Sequence, residues 1–224
     1  MNNHHHPFKI KLIVIGDMDC GKTSICAQYL SGFFDPDMKS TVGVEFNSKK
    51  ITIKEKLKIS KQDTIDVDLQ VWDLSGNKNF ENITDKYFHD AMGAFIVYDV
   101  TNRESFENIN KWINKIKHIV NCQVMLVGNK IDLFYKRQVL YEEGLQFAKK
   151  NGYYFEEISA KDNTNINKIF EVMSFVITHS NSISQPLLNA HTFKSTLIHT
   201  QNQIQKQNLI PISISTKKRF CAII

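Results

Sequence analysis

The run Gly16-Asp17-Met18-Asp19-Cys20-Gly21-Lys22-Thr23-Ser24 restricts what this chain can become more than any other stretch. It fits Gly-x-x-x-x-Gly-Lys-Ser/Thr, a loop whose inward N–H groups curl around the phosphates of a nucleoside triphosphate. In that pattern Lys22 brings a point charge to the outer phosphates and Thr23 a hydroxyl to Mg²⁺. Ile10, Leu12, Ile13, Val14 and Ile15 before the loop read as a buried strand. Residues 25–30 after it suit a helix, whose start adds unpaired N–H groups and a partial positive charge. Four constrained positions are few, and a glycine turn ahead of an ordinary helix satisfies them too. The apolar strand before it and the helical segment after it favour the phosphate loop.

The rest of the chain supplies a matching framework. Residues 33–43 read as an exposed loop carrying Pro36 and acidic side chains. Ile51, Ile53, Leu57 and Ile59 alternate with polar neighbours, as do Val67, Leu69 and Val71, which predicts two strands around a turn near 61–64. Residues 94–98 and 124–127 are near-continuous apolar runs, the pattern of strands covered on both faces. Phe106, Ile109, Trp112, Ile113, Ile116 and Val120 form one helical stripe, and Ile166, Ile169, Phe170, Met173 and Ile177 another, with Asn165 as its cap. Both stripes read as core rather than binding faces. A short strand at 153–158 completes an α/β fold: a phosphate-loop domain with a mostly parallel sheet of about six strands, helices on both faces and ligand loops at the strands' carboxyl ends.

Composition bounds the class. The chain has 224 residues, 42% of them hydrophobic, enough for one ordinary domain and an appendage. A net charge of +5 suits an anionic membrane surface and is too weak to argue for nucleic acid. Four cysteines without metal-ligand spacing point to a reducing compartment. No apolar run approaches the roughly 20 residues that span a bilayer. The expected organisation is an N-terminal arm at 1–7 containing His4, His5 and His6, a domain at 8–179, and a flexible polar tail at 180–224.

Three further motifs follow predicted strands. Asp73-Leu74-Ser75-Gly76 offers a carboxylate that can hold Mg²⁺ through water and a glycine N–H for a terminal phosphate. Asn129-Lys130-Ile131-Asp132 places a carboxylate where it can accept two hydrogen bonds from guanine, a pair adenine does not offer. Ser159-Ala160-Lys161 brings a backbone N–H toward the guanine oxygen. Each alone is also an ordinary polar loop; their order after successive strands is the strong signal.

Together these motifs resemble the small GTPases of the Ras superfamily, and within it the Rab family. Val42-Gly43-Val44-Glu45-Phe46, Trp72-Asp73, Tyr98-Asp99-Val100-Thr101 and Glu104-Ser105-Phe106 are similar to Rab sequence over residues 8–179. The resemblance implies a guanine nucleotide, GTP or GDP, bound by Asp19, Cys20, Gly21, Lys22, Thr23, Ser24, Phe34, Thr41, Asp73, Gly76, Asn129, Lys130, Asp132, Ser159, Ala160 and Lys161. It implies Mg²⁺ held by Thr23, Thr41 and Asp73, with Lys22, Thr41, Gly76 and Asn77 serving hydrolysis. It also implies effector proteins docking on Val42, Gly43, Val44, Glu45, Phe46, Trp72 and Tyr87, although these aromatics equally suit plain core. An exchange factor, a GTPase-activating protein and a prenyl-binding escort complete the implied partners.

The chain departs from the family pattern in four places. Asn77 stands where Rabs usually carry glutamine, which orients the attacking water; it is one methylene shorter, so hydrolysis is expected to be slow. Met18 and Asp19 replace smaller residues beside the phosphates, and Leu74, Ser75 and Lys78 alter the second switch. The stretch between Thr41 and Asp73 is about nine residues longer than usual, an insertion that a surface hairpin absorbs at small entropic cost.

The chain ends Cys221-Ala222-Ile223-Ile224, a terminus that signals prenylation of Cys221, geranylgeranyl being favoured over farnesyl. Lys217, Lys218 and Arg219 add a basic patch as a second membrane signal. The expected protein is a prenylated GDP/GTP switch of vesicle traffic on the cytosolic face of an intracellular membrane, with a cytosolic pool. A GTP-bound membrane scaffold with little turnover stays open beside it. A phosphate-loop kinase or other ATPase is disfavoured by Asp132.

Overall fold

Side chains along a strand point alternately to its two sides, and in the first strand both sides are apolar. The computed structural model describes residues 7–54 and 64–182. In it Ile10, Leu12 and Val14 of β1 (Phe8–Gly16) enter one buried cluster, and Ile13 and Ile15 enter another. A strand buried on both faces needs a helical layer on each. Here α1 (Lys22–Ser31) and α6 (Ile166–Ser182) cover the first face through Ile25, Tyr29, Ile169, Phe170 and Met173. Tyr29 stacks on Phe170 with ring centroids 3.7 Å apart. The second face is covered by α4 (Ile109–Ile116) and α5 (Tyr141–Asn151), through Ile109, Trp112, Ile116 and Ala148.

The remaining strands are β2 (Val44–Lys54), β3 (Thr64–Leu74), β4 (Gly93–Asp99), β5 (Gln123–Asn129) and β6 (Tyr154–Glu157). They join β1 in a six-stranded sheet of order β2-β3-β1-β4-β5-β6. All pairings are parallel except β2 with β3, which run antiparallel from Val44 opposite Leu74 to Lys54 opposite Thr64. Because β1, β3, β5 and β6 run the same way, the loops after them gather at one end of the sheet. Between β3 and β4 lie three very short helices: a 3₁₀ turn (Lys78–Phe80), α2 (Glu81–Thr84) and a second 3₁₀ turn (Asp85–Tyr87). A five-residue helix, α3 (Arg103–Glu107), precedes α4.

Several local expectations are corrected. Val120 does not continue the stripe of α4: the helix ends at Ile116 and Val120 is 81% exposed. Asn165 sits at the cap position of α6, its carbonyl accepting the Ile169 N–H at 3.2 Å, but its side-chain amide donates to Glu157 O at 2.9 Å and Glu156 Oε1 at 3.1 Å, tying the turn to β6. Thr64 opens β3 instead of lying in the turn; the rest of that turn, with Leu57 and Ile59, lies outside the described residues. Asp73 and Leu74 belong to β3, and Asn129 to β5, so those strands run one or two residues further than expected. The helix α5 carries little sequence signal, since its polar residues outnumber the apolar ones. Its start is held by Glu143, whose carboxylate accepts the Leu140 N–H at 2.9 Å.

Candidate functional site

The loop after β1 enters α1 through Gly21, whose φ of +83° is easy only without a side chain. A methyl there would sit 2.5 Å from Asn129 Nδ2. Lys22, first in the helix, is 6% exposed, and its Nζ donates to Asp17 O at 2.7 Å. Burial pulls the Lys22 pKa below its usual value against the attraction of Asp73, Asp17 and Asp19. An ammonium so buried gains from a nearby polyanion. Cys20 is buried, and loss of solvent pushes its thiol up to about 11, so it is a packing residue. Met18 and Asp19 lie on the exposed side of the loop, Asp19 at φ +64°.

Three oxygens meet beneath that loop. Thr23 Oγ1 lies 2.5 Å from both Thr41 Oγ1 and Asp73 Oδ2, and Thr41 Oγ1 donates to the same carboxylate oxygen at 3.3 Å. Asp73 is 2% exposed, and its Oδ1 is buried without a hydrogen-bond partner among the described residues. Desolvation pushes its pKa up to about 6 despite the Thr23 bond. Two hydroxyls and a carboxylate with an orphaned oxygen form a hard, all-oxygen donor set that fits Mg²⁺.

Gly76 follows closely. A Cβ there would stand 2.5 Å from Asp17 C, Gly16 O and Met18 N, so only glycine lets this segment lie against the phosphate loop. Ser75 N–H donates to Gly43 O at 2.9 Å, joining the segment to the end of the 33–43 loop. Asn77 Oδ1 accepts the Asn79 N–H at 2.9 Å and so caps its own 3₁₀ turn.

The loops after β5 and β6 form the other half. Asn129 binds across the site, donating from Nδ2 to Cys20 O at 2.9 Å and accepting the Ala160 N–H at 3.1 Å. Lys130 Nζ is shared between Asp19 O and Asp99 Oδ2, each at 2.7 Å. Ser159 Oγ donates to Asp132 Oδ1 at 2.7 Å, orienting that carboxylate. All this surrounds one cavity of about 460 Å³, a volume suited to a small-molecule ligand. Asp19, Gly21, Lys22, Thr23, Ser24, Phe34, Thr41, Gly76, Asn129, Lys130, Asp132, Ala160 and Lys161 line it. Cys20, Asp73 and Ser159 stand just behind the wall, and Asn77 is not part of it.

On the β2–β3 surface, Phe46 and Trp72 lie 4.7 Å apart by ring centroids, and Trp72 and Tyr87 lie 5.3 Å apart. Phe46 is 49% exposed, while Trp72 and Tyr87 pack partly against the core. Val42, two residues before β2, is exposed as well.

Sequence inspection missed some of the site. Asp17 occupies an unconstrained position of the loop pattern, yet its carboxylate accepts from Asn108 Nδ2 and from Trp112 Nε1, each at 2.7 Å. Trp112 carried only a core signal. Asp99 carried no site signal, yet it binds Lys130. Met38, Lys39 and Leu133 also line the cavity, unmarked by any motif.

A mostly parallel sheet whose strand-end loops enclose one cavity, with a glycine loop leading into α1, defines a phosphate-loop nucleotide-binding domain. Comparison with known proteins narrows this. The family model described as Ras family matches residues 11–179. The Ras-related protein RABA5e of Arabidopsis thaliana is 34% identical over 210 residues, covering 90% of this chain and 91% of that protein. The Ras-related protein Rab-2B of Dictyostelium discoideum is 39% identical over 171 residues, covering 75% and 79%. The Ras-related protein Rab-10 of Diplobatis ommata is 38% identical over 178 residues, covering 79% and 84%. The chain belongs to the Ras family and, within it, to the Rab small GTPases: it binds guanine nucleotide and hydrolyses GTP to GDP and phosphate.

Proposed function

We propose that this protein is a slow GDP/GTP switch of intracellular vesicle traffic, held by a prenylated tail on the cytosolic face of a membrane. The observation that carries the nucleotide assignment is that Lys22, Thr23, Thr41, Gly76 and Asp132, from four separate segments, line one cavity. Residues 8–179 form the nucleotide domain and 180–224 the tail.

Lys22 and the N–H groups of 19–24 hold the phosphates, Cys20 among them. Phe34 packs on the guanine, and Asn129 and Lys130 brace the loops that enclose it. Asp132, steadied by Ser159, accepts from the purine, while the Ala160 and Lys161 backbone reaches its oxygen. Thr23, Thr41 and Asp73 would hold Mg²⁺, which supplies charge neutralisation at the phosphates. Thr41 and Gly76 lose a shared partner when the γ-phosphate leaves, so both loops relax together, an order–disorder switch. Asn77 orients the attacking water. It is short for that work and, to reach it, must give up the bond to Asn79 N–H. The surface of Val42, Gly43, Val44, Glu45, Phe46, Trp72 and Tyr87 is the docking site for effector proteins. An exchange factor, a GTPase-activating protein and a prenyl-binding escort act on the same cycle. Cys221, with Lys217, Lys218 and Arg219, lies outside the described residues and is the membrane anchor, geranylgeranyl favoured. Nucleic acid has no part in this function.

A second possibility, a GTP-bound membrane scaffold with little turnover, is favoured by one observation: the Asn77 amide oxygen is already engaged.

The test is direct. Nucleotide is extracted from purified protein, GTP and ATP compete for the site with magnesium present, and single-turnover hydrolysis is timed. GTP preference with slow conversion to GDP is expected. Equal ATP binding overturns the assignment, and retained, unconverted GTP selects the scaffold. Imaging tagged protein beside Cys221→Ser tests the anchor: the variant is expected to lose membrane localisation.

A further inference from the structure

The segment between β3 and β4 is built from three helices of three, four and three residues. Helices this short do not hold themselves. Phe88 at its end and Thr84 midway are buried, and Tyr87 packs partly against the core, while Ile83 is 49% exposed. Yet Gly76 and Asn77 at its start must stay against the phosphate loop.

What holds it is charge from α4. Asn108, Lys111, Trp112 and Lys115 follow the i, i+3, i+4, i+7 spacing that puts side chains on one helical face. Asn108 and Trp112 reach down to the Asp17 carboxylate. Lys115 Nζ reaches the short-helix segment, 2.7 Å from Glu81 Oε1 and 2.7 Å from Asp85 Oδ1. Lys111 Nζ adds a longer contact of 3.6 Å to Glu81. The Lys115 ammonium also lies 5.8 Å from the ring centre of Phe88 and 5.7 Å from that of Trp112.

Exposed ion pairs usually contribute little. This one differs in two respects: the Lys115 side chain is only 13% exposed, and two carboxylates share it.

We propose that Lys115 is a positioning residue for GTP hydrolysis: by pairing with Glu81 and Asp85 it holds segment 76–88 on the same helical face that holds Asp17 of the phosphate loop. Lys115 does not line the cavity. It acts through the placement of Gly76 and Asn77, and so the inference rests on the hydrolytic role given to those residues above.

Lys115→Met keeps the aliphatic stem and removes the charge. On full-length protein loaded with GTP and magnesium, single-turnover hydrolysis is expected to fall about fivefold, while GDP release changes by less than about twofold. Lys115→Arg should restore most of the rate. In a Glu81→Gln/Asp85→Asn background, adding Lys115→Met should change nothing further, because the partners are already gone. Amides of 78–88 should exchange with deuterium faster in the Lys115→Met protein bound to GDP.

Unchanged hydrolysis and exchange, or an equal further loss in the background lacking both carboxylates, overturns the inference. So does a rise in GDP release that matches the fall in rate. If Lys115→Met does not fold, the Glu81→Gln/Asp85→Asn protein, altered only at half-exposed positions, carries the same two readouts. Wild-type protein is timed in parallel. Absent wild-type turnover would count against the switch and leave deuterium exchange at 78–88 to decide the role of Lys115.

Discussion

The indole N–H of Trp112 donates to the carboxylate of Asp17 at 2.7 Å, across 95 residues of chain. Asn108 donates to the other carboxylate oxygen, and the backbone carbonyl of the same Asp17 accepts from Lys22. One residue therefore joins the helix α4 to the buried lysine that opens α1. A carboxylate held by two donors stays put, and the loop's curvature stays with it.

Replacing Trp112 by Phe removes one of those donors while keeping most of the buried ring. A hydrogen bond to a charged group contributes about 1.5–3 kcal/mol, so Trp112→Phe should lower unfolding free energy by about 2 kcal/mol and speed GDP release. Urea titration and stopped-flow release of a fluorescent GDP measure both. Asp17→Asn should lose a similar amount, and the double variant should cost clearly less than the sum of the two. Full additivity would mean that the contact carries no energy.

Gly76→Ala puts a methyl 2.5 Å from backbone atoms of residues 16–18, which have no room to yield. The segment must back away from the phosphate loop by an ångström or so, a displacement that costs roughly 10²-fold in hydrolysis. GDP binding, which does not need the segment in place, should persist. Calorimetric GDP titration beside single-turnover assays separates the two, and a normal hydrolysis rate would contradict the close approach.

Asn77→Gln lengthens the side chain by one methylene, about 1 Å of reach, and should raise hydrolysis by about tenfold or more. The longer side chain also loses the short capping geometry with Asn79 N–H, which frees the amide. Equal rates in the two proteins would remove Asn77 from the mechanism.

Arg137 and Glu157 form a two-pronged pair, with Nη1–Oε1 at 2.7 Å and Nη2–Oε2 at 2.8 Å, tying the segment after β5 to the end of β6. The Glu157 hydrogen bond raises the Arg137 pKa still further, so the guanidinium stays charged. Glu157 is 7% exposed. Arg137→Met strands that carboxylate, and about 3 kcal/mol of stability should be lost, because a buried charge without its partner is costly. Chemical denaturation of the GDP-bound protein checks this. The further change Glu157→Gln should recover part of it.

Much of the fold was legible because both faces of the sheet are written as local periodicity. Ile166, Ile169, Phe170, Met173 and Ile177 recur at helical spacing, and all five are buried. Val67, Leu69 and Val71 alternate, and all three face the core. Val120 misled because spacing continues on paper after a helix has stopped; nothing at 117–120 marks the end as a Gly or Pro would. The polar helix α5 shows the converse: with one face half covered, its apolar signal is thin.

The four loop motifs were legible for a different reason. Their residues are adjacent in the chain, in runs such as Gly21-Lys22-Thr23 and Asn129-Lys130-Ile131-Asp132, and all of these but Ile131 line the cavity. Order along the chain then implied their meeting, because loops after parallel strands share one end of a sheet.

Local order thus determined the alternation of strands and helices, the burial of their apolar faces and the identity of the loops at the strand ends. The partners of single side chains across long separations were decided by the tertiary structure alone. The meeting of Thr23 with Thr41 and Asp73, of Asp17 with Trp112, and of Lys115 with Glu81 and Asp85 depends on strand order and on where α4 packs. A linear pattern encodes which face of an element is apolar. It does not encode which polar atom on that element will stand within 3 Å of another, because that follows only once the sheet has assembled and the helices have closed over it.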